Sequence, residues 1–317
     1  MSTPRRPAAE PVTPTLLRDW PLPGGGSGKD DRGSVLVIGG ARKTPGAALL
    51  AGTAALRAGA GRLTLAVAGS TAVHVAVALP EAGVVGLAET NDGAVRGSGA
   101  SALADELGKA AAVLVGPGLD DLGEAESLLR ELLKLDDGDG DGEDSADRPA
   151  MVLDAYALGC LPDLLEELGP WAGRLILTPN ITETGILLGR DVKDLHQDVA
   201  EIAARYSAVV SCQGVIAGRG QGEKKGGSPD ETGDGGIRLW EITTGYGGLG
   251  TSGSGDILAG AIAGLRARGT SDAQATCWGT HLHAAAGDRL ASRLGSLGYL
   301  ARELADELPA LMMELGS

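Results

Sequence analysis

The chain has 317 residues, enough for one large α/β domain or two small ones with a sizeable core, and it carries a formal charge of −15. That charge argues against a nucleic-acid or anionic-membrane surface, because binding phosphate polymers needs clustered Lys and Arg, so any phosphate site must be local. With no Phe, four Trp and four Tyr, the core has to be built from Ala, Leu, Val and Ile, and the 52 glycines follow no period that would mark a fibrous repeat.

Residues 1–14 are Pro-rich and polar, which predicts a disordered lead-in, with structure beginning near Leu16. The start lacks an apolar h-region and no apolar run is long enough for a bilayer, so the expectation is a soluble, cytoplasmic protein. Val35 to Ile38 reads as a buried strand broken by Gly39 and Gly40. Pro45 to Ala58 reads as an Ala-rich helix stopped by Gly59 and Gly61, and Leu63 to Val67 as the next strand. This βαβ unit implies a parallel sheet, and its glycine turn lies where such sheets bind ligands, beyond the carboxyl end of a strand. The turn lacks the full G-x-G-x-x-G spacing of a dinucleotide fold.

Val113 to Val115 is a further strand, followed by the glycine turn GPGLDD at 116–121. The acidic tract 136–148 alternates acid and glycine without the closing register of a calcium loop, which predicts a solvated surface insertion. Met151 to Leu153 and Leu175 to Leu177 are strands ending on Asp154 and on TPNITE (178–183). Asp154 is a helix N-cap or a site residue; Glu183 caps the following helix or helps order a metal ion. Three cysteines, Cys160, Cys212 and Cys277, lack metal-ligand spacing, and their odd number fits a reduced compartment. Ala208 to Ser211 leads through Cys212, Gln213 and Gly214 to Val215–Ala217. The tract 219–236 reads as a flexible hairpin tip, from which Ile237 to Thr243 returns.

The next stretch, TGYGGLGTSGSGDILAGAIAGLRARG (244–269), places six glycines in eleven residues directly before Asp256 and a helical apolar face. Unpaired amides and the dipole at a helix start attract anions, and residues without Cβ let a phosphate approach. Asp256 beside such an anion points to chemistry; the alternative is a first-turn acid behind a Ser254 N-cap. Asp272 to Leu294 is a long helix whose His281 and His283, two apart, face different sides and read as packing or surface residues. Tyr299 to Leu315 is a closing amphipathic helix.

Six segments, VLVIGGARKTPGAALLAGTAALRAGAG, LVGPGLDD, VLDAYAL, LTPNITE, GTSGSGDILAGAIAG and HLHAAAGDRLA, stand in order between about Lys29 and Leu311 and resemble the NAD(P)H-hydrate dehydratases. The resemblance implies a ribokinase-like fold: an α/β three-layer sandwich with a mostly parallel central sheet of about seven strands, as one domain over 15–317. It implies repair of (S)-NADHX and (S)-NADPHX at the expense of ADP, or of ATP as in eukaryotic members, with Mg²⁺. By motif position, Ala47, Gly118, Asn180 and Asp256 would hold the hydrate, with Asp256 as base. Gln213, Gly214, Val215, Ile216, Ala217, Gly253, Ser254 and Gly255 would hold the nucleotide, and Glu183 would help order the metal. It also implies a homo-oligomer and a separate epimerase. The chain departs from the family where Asn180 replaces the His of many bacterial members, where DAYAL has one carboxylate fewer, and where Gln213-Gly214 replaces Lys-Gly; Lys43 is a candidate for the missing cation. A small-molecule kinase and a catalytically weak nucleotide sensor are the alternative readings.

Overall fold

The computed structural model describes residues 9–138, 148–219, 236–245 and 247–316. Among them are the strands β1 (Glu10–Val12), β2 (Ser34–Ile38), β3 (Arg62–Ala68), β4 (Gly83–Leu87), β5 (Ala112–Val115), β6 (Ala150–Leu153), β7 (Leu175–Leu177), β8 (Ala208–Cys212), β9 (Val215–Arg219) and β10 (Ile237–Ile242). The helices are α1 (Pro14–Asp19), α2 (Pro45–Arg57), α3 (Gly69–Ala78), α4 (Ala104–Leu107), α5 (Leu122–Gly138), α6 (Tyr156–Leu164), α7 (Ile181–Leu188), α8 (Leu195–Arg205), α9 (Ser254–Ala267), α10 (Asp272–Leu294) and α11 (Ala301–Glu314).

The ten strands form one sheet in the order β1-β10-β9-β8-β7-β6-β5-β2-β3-β4, and only β9 runs against its neighbours. The central strands are apolar at every position because both faces are covered, as parallel sheets require. Val35 and Val37 of β2 point into a core shared with α2, α9, α10 and α11, whereas Leu36 and Ile38 point into a second core with α5, α6, α7 and α8. The expected α/β sandwich with helices on both faces is what the chain forms.

Three expectations change. Glu10–Val12 belongs to the sheet and pairs in parallel with Trp240–Ile242, so the ordered chain begins before Leu16. An edge position tolerates Pro11, which has no N–H to give; residues 1–8 lie outside those described. With β1 and the other edge strand, β4, the sheet has ten strands rather than about seven. The acidic tract is not all solvated: α5 runs on to Gly138, and Asp136 is buried in an ion pair with the buried Arg174. Residues 139–147, and 220–235 of the expected hairpin tip, lie outside the described residues.

Helices α2 and α9 decide where the glycine loop sits. A Cβ on Gly260 would lie 2.1 Å from the Ala51 carbonyl oxygen, and one on Gly264 would lie 2.4 Å from that of Ala55. The same sequence offset in both contacts means that the helices run parallel. The helix starts, Pro45 and Ser254, keep the same offset, so both helices begin at the same end of the sheet. Gly260→Ala should cost about 2 kcal/mol, an overpacking penalty of about 3 kcal/mol offset in part by better helix propensity. Urea unfolding midpoints of the variant and the parent chain measure this.

Candidate active site

The carboxyl ends of β2, β5, β6, β7 and β8 form a crest, and each carries a turn named above. Gly39 and Gly40 follow β2, and Gly40 N–H donates to the Pro117 carbonyl of the turn after β5 (2.8 Å). Ala41 N–H and Thr44 Oγ1 both donate to the Gly118 carbonyl, at 2.8 and 2.7 Å. A Cβ on Gly118 would stand 3.0 Å from that of Ala47 and 2.4 Å from the Thr44 oxygen. Ala47 and Gly118 are therefore neighbours, although they lie on different turns. Asp120, two residues on, turns one carboxylate oxygen into the protein, where it finds no partner among the described residues.

Asp154 ends β6, and Thr178 Oγ1 donates to its Oδ1 at 2.8 Å. It is not a side-chain N-cap. Ala155 holds the cap position of α6 with φ 50° and ψ −126°, a conformation that costs an L-residue about 1–3 kcal/mol and is concentrated at functional sites. Burial pushes the Asp154 carboxyl up to about 7; Thr178 opposes this, and the nearby charges of Asp256 and Glu183 add to it. The structure thus groups three acids at the crest. Burial raises Glu183 as well, against the pull of the Asn180 N–H, and raises Asp256 to about 6.

Asn180 and Glu183 form a reciprocal capping box at the start of α7. Glu183 N–H donates to Asn180 Oδ1 (3.0 Å) and Asn180 N–H to Glu183 Oε2 (2.8 Å). The cap occupies the Asn180 oxygen and leaves its Nδ2 hydrogens for another acceptor. It also commits one oxygen of Glu183, which leaves one for a metal-bound water. No group of three or more metal-ligating side chains occurs among the described residues.

The nucleotide residues divide. Gln213 (φ 49°) and Gly214 (φ 82°) are the two-residue turn of the β8–β9 hairpin, in the doubly left-handed form that such hairpins favour. Val215, Ile216 and Ala217 do not form a loop: they are buried in β9 and paired with β8 on one side and β10 on the other. Within 213–217 only Gln213 and Gly214 form a turn, and the other three residues are paired in the sheet. Lys43 is exposed in the turn after β2, four strands from that hairpin, roughly 19 Å at ordinary strand spacing. It stands on the Ala47 side and does not occupy the place of the missing lysine.

The glycines before Asp256 also divide. A Cβ on Gly245, Gly247 or Gly248 would collide with Ala284, Ala291 or the Ser296 carbonyl, at 2.8, 2.6 and 2.4 Å, so these three serve packing. Gly250 and Gly255 have nothing within 4 Å of that position and leave the backbone open to a ligand. Gly253, at φ 87°, is the residue that caps α9, rather than Ser254. Ser254 is the first helical residue; its N–H donates to the Thr251 carbonyl (3.1 Å), and its Oγ lies 2.8 Å from Nε2 of the buried His283. The unspent amides at this helix start are then those of Gly255 and Asp256, with the Asp256 carboxyl beside them.

His283 and Asp288 were not legible as site residues. Burial lowers His283 to about 4, so the ring is neutral and either it or Ser254 can donate. The histidines do face different sides, both buried, and His281 lies toward Val12. Asp288 accepts from Thr244 Oγ1, from Gly245 N–H (2.7 Å) and from Gly247 N–H (3.2 Å).

A cleft of about 660 Å³ opens at the opposite end of the sheet, beside Lys29, Arg62, Glu106 and Lys109. Its charges largely pair with one another, Arg62 with Asp30 and Lys109 with Glu106. The crest instead carries shifted carboxyls, a helix start and open glycines, and it is the candidate site.

Residues 35–310 match the family described as NAD(P)H-hydrate dehydratase. The chain is 38% identical over 309 residues to an ADP-dependent (S)-NAD(P)H-hydrate dehydratase of Xanthomonas campestris pv. campestris, a match covering 98% of each chain. It is 34% identical over 290 residues to a bifunctional NAD(P)H-hydrate repair enzyme of Moorella thermoacetica, covering 89% of this chain and 50% of that one, so it spans about half of that larger relative. A solved structure of an ADP/ATP-dependent NAD(P)H-hydrate dehydratase from Bacillus subtilis, co-crystallised with ATP and Mg²⁺, matches with a TM-score of 0.72 at 26% identity, over 97% of this chain and 99% of that one. A ribokinase-like superfamily protein of Enterococcus faecalis shares the fold, with a TM-score of 0.72 at 20% identity over 99% of both chains.

The raised Asp154 carboxyl gives stability a pH dependence of known sign. A group whose folded pKa exceeds its unfolded value binds more protons in the folded state, so its contribution is full below about pH 4 and is lost as pH rises through about 7. Asp154→Asn removes that loss. The stability of the parent chain relative to this variant should fall between pH 4 and 7, by at most about 1.4 kcal/mol per pH unit. Denaturant unfolding of both proteins across that range tests it.

Proposed function

The chain belongs to the NAD(P)H-hydrate dehydratase family, and from that premise we propose that it dehydrates (S)-NADHX and (S)-NADPHX at this crest with ADP as phosphoryl donor. The reaction class is that of a hydro-lyase. The observation that supports the placement is Asp256 in the first turn of α9, with the open backbone of Gly255 beside it. The relative named as ADP-dependent supports the choice of donor, and ATP is the other candidate, since the solved relative was crystallised with it.

In this reading Ala47, Gly118 and Asn180 hold the hydrated nicotinamide so that its ring hydroxyl meets the Asp256 carboxylate. With a pKa of about 6, Asp256 is mostly ionised at neutral pH yet basic enough to take the hydroxyl proton. The hydroxyl oxygen then attacks the terminal phosphorus of ADP, and the bond to the bridging oxygen breaks, releasing AMP. The phosphate then leaves as the ring nitrogen's lone pair moves toward the ring and the C–O bond breaks, and loss of a proton from the adjacent ring carbon of the resulting iminium gives NADH or NADPH. The amides of Gly255 and Asp256 and the dipole of α9 stabilise charge on the transferred group, where electrostatics supply most of the rate. Gln213 and Gly214 border the nucleotide, and Glu183 would hold the Mg²⁺ ion through water. When bound, that ion neutralises charge on the phosphates. Burial favours the protonated form of Asp154, which keeps a second full charge away from the phosphoryl group.

No helix among the described residues is long and apolar enough to cross a membrane. A cytoplasmic location, a homo-oligomer and a separate epimerase belong to the same reading.

The test supplies the purified chain with S-NADHX, Mg²⁺ and either ADP or ATP and follows NADH absorbance. Recovery with ADP is the expected result. A stable phosphoester would instead mark a kinase, and nucleotide binding without turnover would mark a sensor. Asp256→Asn should lower kcat by about 10²- to 10⁴-fold with ADP binding retained; unchanged kcat would remove Asp256 from the base role.

A further inference from the structure

The glycine loop is held by α10 and the turn beyond it more than by itself. Between Thr244 and Gly253 the described backbone makes few bonds of its own: Thr251 accepts from Ser254 and Gly253 from Ile257, both at the start of α9. The upstream half is tied elsewhere. Asp288, on α10 and 43 residues from Gly245, accepts from the Thr244 hydroxyl and from the N–H groups of Gly245 and Gly247. Tyr299 Oη donates to the Gly247 carbonyl at 2.8 Å, and His283 holds Ser254 from the same helix. Gly245, Gly247 and Gly248 are pressed against Ala284, Ala291 and the Ser296 and Tyr299 turn so closely that no Cβ fits. The downstream half, at Gly250 and Gly255, is open.

From this we infer that Asp288 is a positioning residue for phosphoryl transfer: it fixes the entry of the glycine loop, and through it the amides and carboxylate at the start of α9, without touching substrate. The inference rests on the dehydratase reading for its kinetic consequence and on the loop geometry alone for its structural one. A carboxylate is the appropriate group because it accepts several N–H and O–H bonds at once and, being charged, makes each of them stronger than a neutral acceptor would. Placing an acid here in a chain of net charge −15 runs against the general repulsion, which the donors from Thr244, Gly245 and Gly247 offset locally. His283, neutral and buried, sets the first helical residue from the other side, so the loop is fixed at both ends and its middle is left for the nucleotide.

The experiment compares the full-length chain with Asp288→Ala and Asp288→Asn, using hydrogen exchange across 244–255, calorimetric ADP binding, and kcat and KM for S-NADHX. Asp288→Ala should speed exchange across 244–255 while leaving β2 and β5 unchanged. It should weaken ADP binding by about tenfold and lower kcat by about 100-fold, the scale of a misplaced reacting group, with KM for the hydrate within about twofold. Asp288→Asn, which keeps one acceptor oxygen, should recover part of each effect. Three results would overturn the inference: unchanged exchange and ADP affinity in Asp288→Ala, exchange rising equally through the sheet, or KM for the hydrate rising as far as kcat falls. If the parent chain binds ADP but returns no NADH, the dehydratase reading fails, and exchange and ADP binding still decide the role of Asp288.

Discussion

The site depends first on how closely α2 and α9 approach. Gly260 and Gly264 let the α9 backbone rest on the Ala51 and Ala55 carbonyls, and any side chain at those two positions would push the helices apart. Because the pair is parallel, the contact brings two helix starts to one end of the sheet, one behind Ala47 and one beneath Asp256. Two dipoles of the same sense therefore converge on one region, beside the amides of Gly255 and Asp256. In a chain this acidic, that is where an anion finds a local welcome.

The crest adds acids to that positive end. Asp154, Glu183 and Asp256 are close enough for Asp154 to be raised by the charges of the other two as well as by its own burial, and each of the three is shifted upward. Such a group is poorly suited to stability and well suited to moving protons near neutrality. The strained Ala155 and an Asp120 oxygen that has no partner among the described residues lie in the same region. Polar groups left short of partners and backbone held off its preferred dihedrals are tolerated where the surrounding sheet is well packed on both faces.

Most of the architecture was legible because its causes are local. Apolar runs of three to five residues with glycine near their ends gave β2, β3 and β5 to within a residue, and Asp272–Leu294 was read to its limits. β1 was not legible: three residues in a Pro-rich tract become a strand only because β10 offers an edge. Asp136 looked like part of a solvated acidic run because its partner Arg174 is 38 residues away. Val215–Ala217 was given to the phosphate loop by motif position, but a two-residue turn at Gln213-Gly214 sends these residues straight back into the sheet. His283 and Asp288 sit mid-helix with partners 29 and 43 residues distant, and helical periodicity carries no mark of such a bond.

The sequence by itself determined the alternation of strand, glycine turn and helix, hence a parallel sheet with its functional turns at one end, since hydrophobic period and glycine placement act over a few residues. It also determined that Asp256 opens a helix behind a glycine-rich loop. Tertiary structure alone decided which of those glycines are packed and which are open, which acids hold their protons, and which distant side chains fix the loop. Those outcomes follow from desolvation and from hydrogen bonds between segments far apart in the chain, and neither exists until the sheet has brought the segments together.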